Sequence, residues 1–345
     1  MEHRLAQLAR VIATHLREWD PSPAYVDLAV FGSDDPHTIA EAVDAFCRRE
    51  LGAGVARGLF HQSSVGSVTG VQLEDGQCVV VKGHQPEHDV EWLREVVSVQ
   101  RHLASRDLYA TTVLAGPGPL ERGQAIAEAF VDHGTMEDAH QPEIRRALAI
   151  SLHDIVEACR PLAAKSTLKP SLLASVPPER LWPTPHSKLF DLAAPVEWID
   201  AVAIAARRRM VHAGQLVIGH GDWRIEHVRF AGGRPVVAFD WDSLCLEPEP
   251  ALVGFTAHAF CADWTRSEEI APAPTLDEAR SFVAEYEVAR GTTFSKRERR
   301  LCGAAFAYSC AYTSRCGFSL GVEERNIVGT FMHLVASEAL QLLEL

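Results

Sequence analysis

The segment 215–244, QLVIGHGDWRIEHVRFAGGRPVVAFDWDSL, restricts the fold of this chain more than any other stretch. Its pattern predicts a short apolar strand over 216–218, a polar loop, and a second strand ending near Phe230. A two-residue turn at Gly232 and Gly233 and a third strand over 235–239 follow. The third strand delivers Asp240 and Asp242 at its end, and Asp222 stands on the loop. Asp222 and Asp240 can therefore point into one cleft. Like charges a few ångströms apart raise each other's pKa, so such carboxylates call for a proton or a cation, usually a divalent metal. Taken alone, the fragment fits an ordinary turn and a solvated strand end equally well.

At 345 residues the chain is long enough for two domains or one two-lobed domain. A net charge of −13 supplies no basic footprint, so no nucleic-acid partner is expected and a cationic or neutral small molecule fits better. No apolar run approaches the roughly 18 residues of a membrane span, and MEHRLAQLAR lacks a signal-peptide core. The expectation is a cytoplasmic protein with no membrane partner. The eight cysteines are scattered and form no CxxC, which suits small buried residues of a reduced protein.

Residues 1–56 predict two helices, with Leu5, Leu8, Ile12 and Leu16 on one face and Ile39, Val43 and Phe46 on another after SDDPHT. This helical extension could cover an edge of the next domain or serve a homodimer. From Gly58 the period becomes strand-like, with strands near 58–63, 67–73 and 77–82 and a hairpin signal at Asp75-Gly76. The turn 63–67 is small and rich in hydroxyls. Its backbone at Ser64 and Gly66 could meet phosphates, although it is not GxGxxG. Lys82 closes the run CVVVK. In the helix that follows, Glu95 flanks the stripe Trp92, Val96, Val99 and Leu103, with Glu91 one turn earlier. Such a glutamate can reach a strand lysine and hold its amine against phosphate oxygens. The strand QAIAEAFVDHG leads out of this region, and its backbone at Ala129 and Val131 could hydrogen-bond a nucleobase.

Beyond it the pattern is mainly helical. Leu148, Leu152, Ile155 and Cys159 mark a buried helix with His153 beside it, and 165–188 holds five prolines in an irregular loop. A helix is expected over about 196–212. Thr275 with Glu278 and Ser295 with Glu298 match capping boxes for helices near 276–289 and 296–315, and a last helix is expected near 323–344.

In this order, the sequence resembles the aminoglycoside phosphotransferase family of the protein-kinase-like superfamily over about residues 58–340. HGDWRIEHVRF, VVAFDWDSL, VVVK with the RE of Arg94-Glu95, and Leu152-His153 carry the resemblance. It implies an α+β, two-lobed fold with an antiparallel-sheet N-lobe over 57–131 and a helical C-lobe over 132–345. It further implies ATP or GTP bound with Mg2+ between the lobes, and γ-phosphoryl transfer to a hydroxyl of an antibiotic, sugar or amino alcohol. Carried over, Lys82 would hold the α- and β-phosphates and Glu95 would orient it. Asp222 would accept the proton of the attacking hydroxyl and Asp240 would bind the metal. His220 would brace the loop, and Arg224 could place its guanidinium on the γ-phosphate.

One position departs from the family. Five residues after the catalytic aspartate the family has a metal-binding asparagine, and this chain has His227. Neutral imidazole is a poor magnesium ligand. Either His227 binds metal anyway, or Glu226 supplies an oxygen, or Asp240 with Asp242 holds a single ion. The departure keeps open a kinase-like protein that binds nucleotide or ligand without turnover. A metal-dependent hydrolase using His220, Asp222, His227 and Asp240 is a third reading, which leaves the Lys82 hairpin unexplained. Asp263, Glu268 and Glu269 would suit an aminated acceptor if they are more than a solvated acidic face.

Overall fold

The computed structural model describes residues 2–18, 24–210 and 214–345. The chain divides into two compact units, Met1–Arg106 with Ala110–Asp132, and Asp107–Tyr109 with His133–Leu345.

The first unit opens with three helices, α1 (Glu2–Glu18), α2 (Ala24–Phe31) and α3 (Pro36–Leu51). Asp35 caps α3 by accepting from Thr38 N at 2.9 Å, with Pro36 at its first position, as the SDDPHT stretch predicts. Sequence periodicity does not find α2, AYVDLAVF, because it is apolar on nearly every side and has no stripe. The strands are β1 (Val55–Ser63), β2 (Ser67–Leu73), β3 (Cys78–His84), β4 (Val113–Leu120) and β5 (Gly123–Ala129), with α4 (Val90–Ala104) between β3 and β4. They form one antiparallel sheet in the order β1-β2-β3-β5-β4. Leu8, Ile12, Val30, Ile39, Val43 and Phe46 share a core with Val71, Val79, Val81 and Ala127. The helices ahead of the sheet are thus part of its packing. β1 carries two irregularities of register, and between them Gln7 of α1 satisfies the backbone of Gly58, accepting from its N–H at 2.7 Å and donating to its carbonyl at 3.2 Å.

The second unit contains α5 (Pro142–Ala163), α6 (Glu197–Arg209), β6 (Leu216–His220), β7 (Val228–Ala231), β8 (Arg234–Ala238) and β9 (Leu244–Pro248). After these come α7 (Glu249–Ala259), α8 (Leu276–Arg290), α9 (Lys296–Ser319) and α10 (Phe331–Glu338). Both expected capping boxes form, at Thr275 with Glu278 and at Ser295 with Glu298. Leu148, Leu152, Ile155 and Cys159 are fully buried on α5. The helix expected over 196–212 ends at Arg209, and 211–213 lie outside the described residues. The last helix starts at Phe331, not near 323. Gly329 at φ +88 breaks the backbone, and Thr330 then caps α10 by accepting from His333 N. No helix among the described residues is long and apolar enough to cross a membrane.

The proline-rich segment ahead of α6 is tied down at several points. Leu246 N donates to Lys169 O at 3.1 Å, Ser171 N to a Glu247 carboxylate oxygen at 2.6 Å, and Tyr308 OH to Leu181 O at 2.7 Å. Burial pushes Glu247 up to about 7 from an ordinary 4.5, with the Ser171 N–H acting the other way. A raised carboxyl pKa means stability that is fully present below the ordinary value and is lost as pH rises through about 7. Glu247→Gln keeps the acceptor oxygen and removes the charge. It is expected to change stability little at pH 5 and to raise it by up to about 3 kcal/mol at pH 8, read from urea unfolding at both.

Candidate active site

The second unit gathers most of the expected catalytic groups. β6 pairs antiparallel with β9, and β7 with β8 across the turn at Gly232 and Gly233, whose φ values of +58 and +73 suit a tight hairpin. Between β6 and β7 the chain passes so close to the start of β9 that a Cβ on Gly221 would lie 2.9 Å from Ser243 O. Only glycine allows that passage. Gly221 N donates to the same carbonyl at 2.8 Å.

His220 is fully buried and its ring is used on both sides. Nδ1 accepts from Asp222 N at 3.2 Å, so the proton sits on Nε2, which donates to Phe239 O at 3.0 Å. Burial is the main reason its pKa lies below the ordinary value, so the ring stays neutral. Trp223 and Trp241 pack edge-on against it, at 5.4 and 5.3 Å between ring centres. They are anchored in turn by indole N–H bonds to Leu148 O and Ala238 O. One imidazole therefore fixes the backbone at Asp222 and the residue before Asp240. The same bonds leave it no lone pair for a metal, which removes His220 from the hydrolase reading.

Arg224 places Nη1 at 2.7 and 2.6 Å from the two carboxylate oxygens of Asp222. Burial alone would raise the Asp222 carboxyl, but Arg224 and the neighbouring histidines outweigh it and hold the pKa below the ordinary value. Burial would likewise lower Arg224, and Asp222, Glu226 and Asp240 more than offset it, so the guanidinium stays charged. Arg224 thus sits on the expected base. Glu226 is engaged elsewhere, with Oε2 accepting from Trp264 N at 3.1 Å and lying 3.4 Å from Arg224 Nε.

His227 Nδ1 lies 3.1 Å from Asp222 O. A carbonyl can only accept, so the proton is on Nδ1 and the lone pair on Nε2. Asp240 occupies the left-handed region at φ +63, ψ +41, and its Oδ2 accepts from Ser243 Oγ at 2.9 Å. Ligand atoms of Asp222, His227 and Asp240 all fall within 4.8 Å of one another. Among the described residues they are the one such group that could hold an ion; Asp242, in the turn after Asp240, is outside it. Two carboxylates and an imidazole whose other nitrogen is already bonded fit a divalent cation.

In the first unit, Lys82 lies at the centre of the sheet, paired with Val68 of β2 and Ile126 of β5. Its Nζ is 3.8 Å from a Glu128 oxygen. Glu128 also accepts from Gln100 Nε2 at 3.1 Å and Thr111 Oγ1 at 2.7 Å. The sequence points to Glu95, half-buried on α4, as the partner of Lys82, and Glu128 is a further acid beside the amine that no motif marks. The available signal was an acid inside the otherwise apolar strand QAIAEA, two residues from the partner of Lys82. Ser64 and Gly66 form the β1–β2 turn. The Ala129 N–H is bonded to Thr112 O and that of Phe130 to Cys78 O, with Val131 beyond them.

Other residues that no motif revealed stand near Asp222. The titration of His186, on the proline-rich segment, and of His258, on α7, responds to the charges of Asp222 and Arg224, although burial dominates both and pushes His258 down to about 4. Asp263 is buried, accepting from Thr265 N and Arg266 Nε at 3.0 and 2.6 Å.

Residues 67–291 match the sequence model described as the phosphotransferase enzyme family, APH. No curated protein matches the chain. Among solved structures, the AMP-bound spectinomycin phosphotransferase APH(9)-Ia superposes with a TM-score of 0.56 at 13% identity, over 87% of this chain and 98% of that one. The amicoumacin kinase hAmiN, in complex with AMP-PNP, Ca2+ and Ami, gives 0.56 at 10% identity, over 81% and 87%. At these identities the likeness is one of fold, α+β and protein-kinase-like.

Proposed function

This chain belongs to the phosphotransferase enzyme family, and on that footing we propose that it transfers the γ-phosphoryl group of ATP or GTP to a hydroxyl of a small molecule. The observation that carries the reading is the convergence of Asp222, His227 and Asp240 within 4.8 Å, on a loop braced by His220. The nucleotides held by spectinomycin phosphotransferase and hAmiN support it.

In this reading the acceptor hydroxyl donates to Asp222. As its oxygen bonds to phosphorus and the bond to the departing nucleoside diphosphate breaks, the proton passes to the Asp222 carboxylate. The depressed pKa suits a group that stays ionised and orients the hydroxyl, taking the proton late. Arg224 keeps Asp222 ionised and sets its direction. Lys82, steadied by Glu128, binds phosphate oxygens and offsets their charge. Asp240 and His227, beside Asp222, would hold Mg2+ or another divalent ion, which when bound neutralises charge on the phosphates.

His227 favours a softer metal than an asparagine would. His227→Asn is expected to lower the ratio of Zn2+ to Mg2+ affinity by about 10-fold or more, measured by titration calorimetry on nucleotide-free protein.

The reading is tested in two steps. ADP or GDP at about 100 times its Kd, with Mg2+, should stabilise the protein by about 2.7 kcal/mol. ATP or GTP consumption is then followed against a panel of hydroxylated antibiotics, sugars and amino alcohols. No stabilisation by either nucleotide at millimolar concentration sinks the proposal. Stabilisation without consumption across the panel favours a nucleotide-binding protein lacking turnover, the second reading that His227 supports.

A further inference from the structure

We propose that the helices ahead of the sheet clamp the phosphate-facing turn, with His15 and Tyr25 as positioning residues for the nucleotide phosphates. The inference rests on the reading of 63–67 as the nucleotide turn.

A hairpin turn is ordinarily held by the pairing of its own strands. This one is also gripped from outside, at three successive residues. Ser63 N donates to His15 Nε2 of α1 at 3.0 Å. Ser64 O accepts from Tyr25 OH of α2 at 3.2 Å. Val65 O accepts from Gln85 Nε2, just past β3, at 2.6 Å. The Ser64 N–H turns inward to Gly66 O at 3.1 Å. The N–H groups left to meet phosphate oxygens are those of Val65 and Gly66, at the tip.

The tip is seated against the strand that bears Lys82. β2 pairs Ser67 with Gly83 and Val68 with Lys82, and a Cβ on Gly66 would lie 2.9 Å from Gly83 O. Fixing the turn therefore fixes its distance to the Lys82 strand. Beneath it lies Asp27, the one charged residue of α2, with no exposed surface. Its carboxylate is 3.4 Å from His61 Nε2, and His61 Nδ1 lies 2.9 Å from Thr69 Oγ1. A helix serving only as apolar cover has no need of a carboxylate at that depth. Under this turn it ties α2 to β1 and β2 through His61. The clamp spends its hydrogen bonds before nucleotide arrives, so the turn loses less freedom on binding.

The test uses the full chain and two probes, ADP with Mg2+ and adenosine, or the guanine pair if the protein prefers it. Tyr25→Phe removes a single hydroxyl. His15→Ala removes the acceptor, and His15→Gln restores one. Tyr25→Phe and His15→Ala are each expected to weaken the diphosphate about 3- to 10-fold while leaving the nucleoside within about twofold, and His15→Gln to recover part of the loss. A purely structural effect would weaken both probes alike, and that result overturns the clamp. So does unchanged affinity in both variants. If the wild type binds neither diphosphate, the phosphotransferase reading falls with it; if it binds one normally and the variants match it, only the clamp falls.

Discussion

Asp222→Asn is expected to slow phosphoryl transfer about 10²- to 10⁴-fold, the range associated with loss of a positioned base. Asparagine keeps the shape of the side chain and one oxygen toward Arg224, so the loop should stay folded around His220 and Trp223. Nucleotide affinity should hold or tighten. The substitution removes a negative charge and releases Arg224 from two short contacts. Single-turnover product formation, with ADP binding measured alongside, separates the effects. Turnover within tenfold of wild type would mean that Asp222 is not the base.

The second large effect is expected at Asp240. Asp240→Asn should weaken divalent binding by at least about 10- to 100-fold, the range seen when only the outer partners of metal ligands are lost. Stability should barely change, because asparagine tolerates the left-handed backbone that Asp240 adopts. Asp240→Ala loses the ligand and adds about 1–2 kcal/mol of backbone strain, so it should also melt earlier. Mn2+ titration followed by electron paramagnetic resonance reads the first effect and thermal unfolding the second. Equal metal affinity in Asp240→Asn and wild type would remove Asp240 from the site.

Local signals made much of this architecture readable in advance. The Gly232-Gly233 turn, the apolar strands around it, the two capping boxes and the α5 stripe are short-range patterns, and each formed where expected. Less was legible where a contact is distant or the pattern absent. Glu128 meets Lys82 diagonally across neighbouring strands, a contact fixed by register. The grip of Arg224 on Asp222 depends on side-chain rotamers within a loop. The start of α10 was misplaced because Gly329 ends an apparently helical run. His186 and His258 belong to segments without a motif, and only folding brings them under the influence of Asp222.

His220 has a further consequence. Because its two nitrogens reach one backbone group at Asp222 and another beside Asp240, the proposed base and the proposed metal ligand are held as a single piece. Chemistry and acceptor choice are then free to diverge separately. On the proposed function, residues outside that piece could change with the molecule to be modified while the two aspartates keep their places. A lineage of such proteins would meet new acceptors by altering its periphery, with the imidazole acting as the pin that keeps the catalytic hardware out of that experiment.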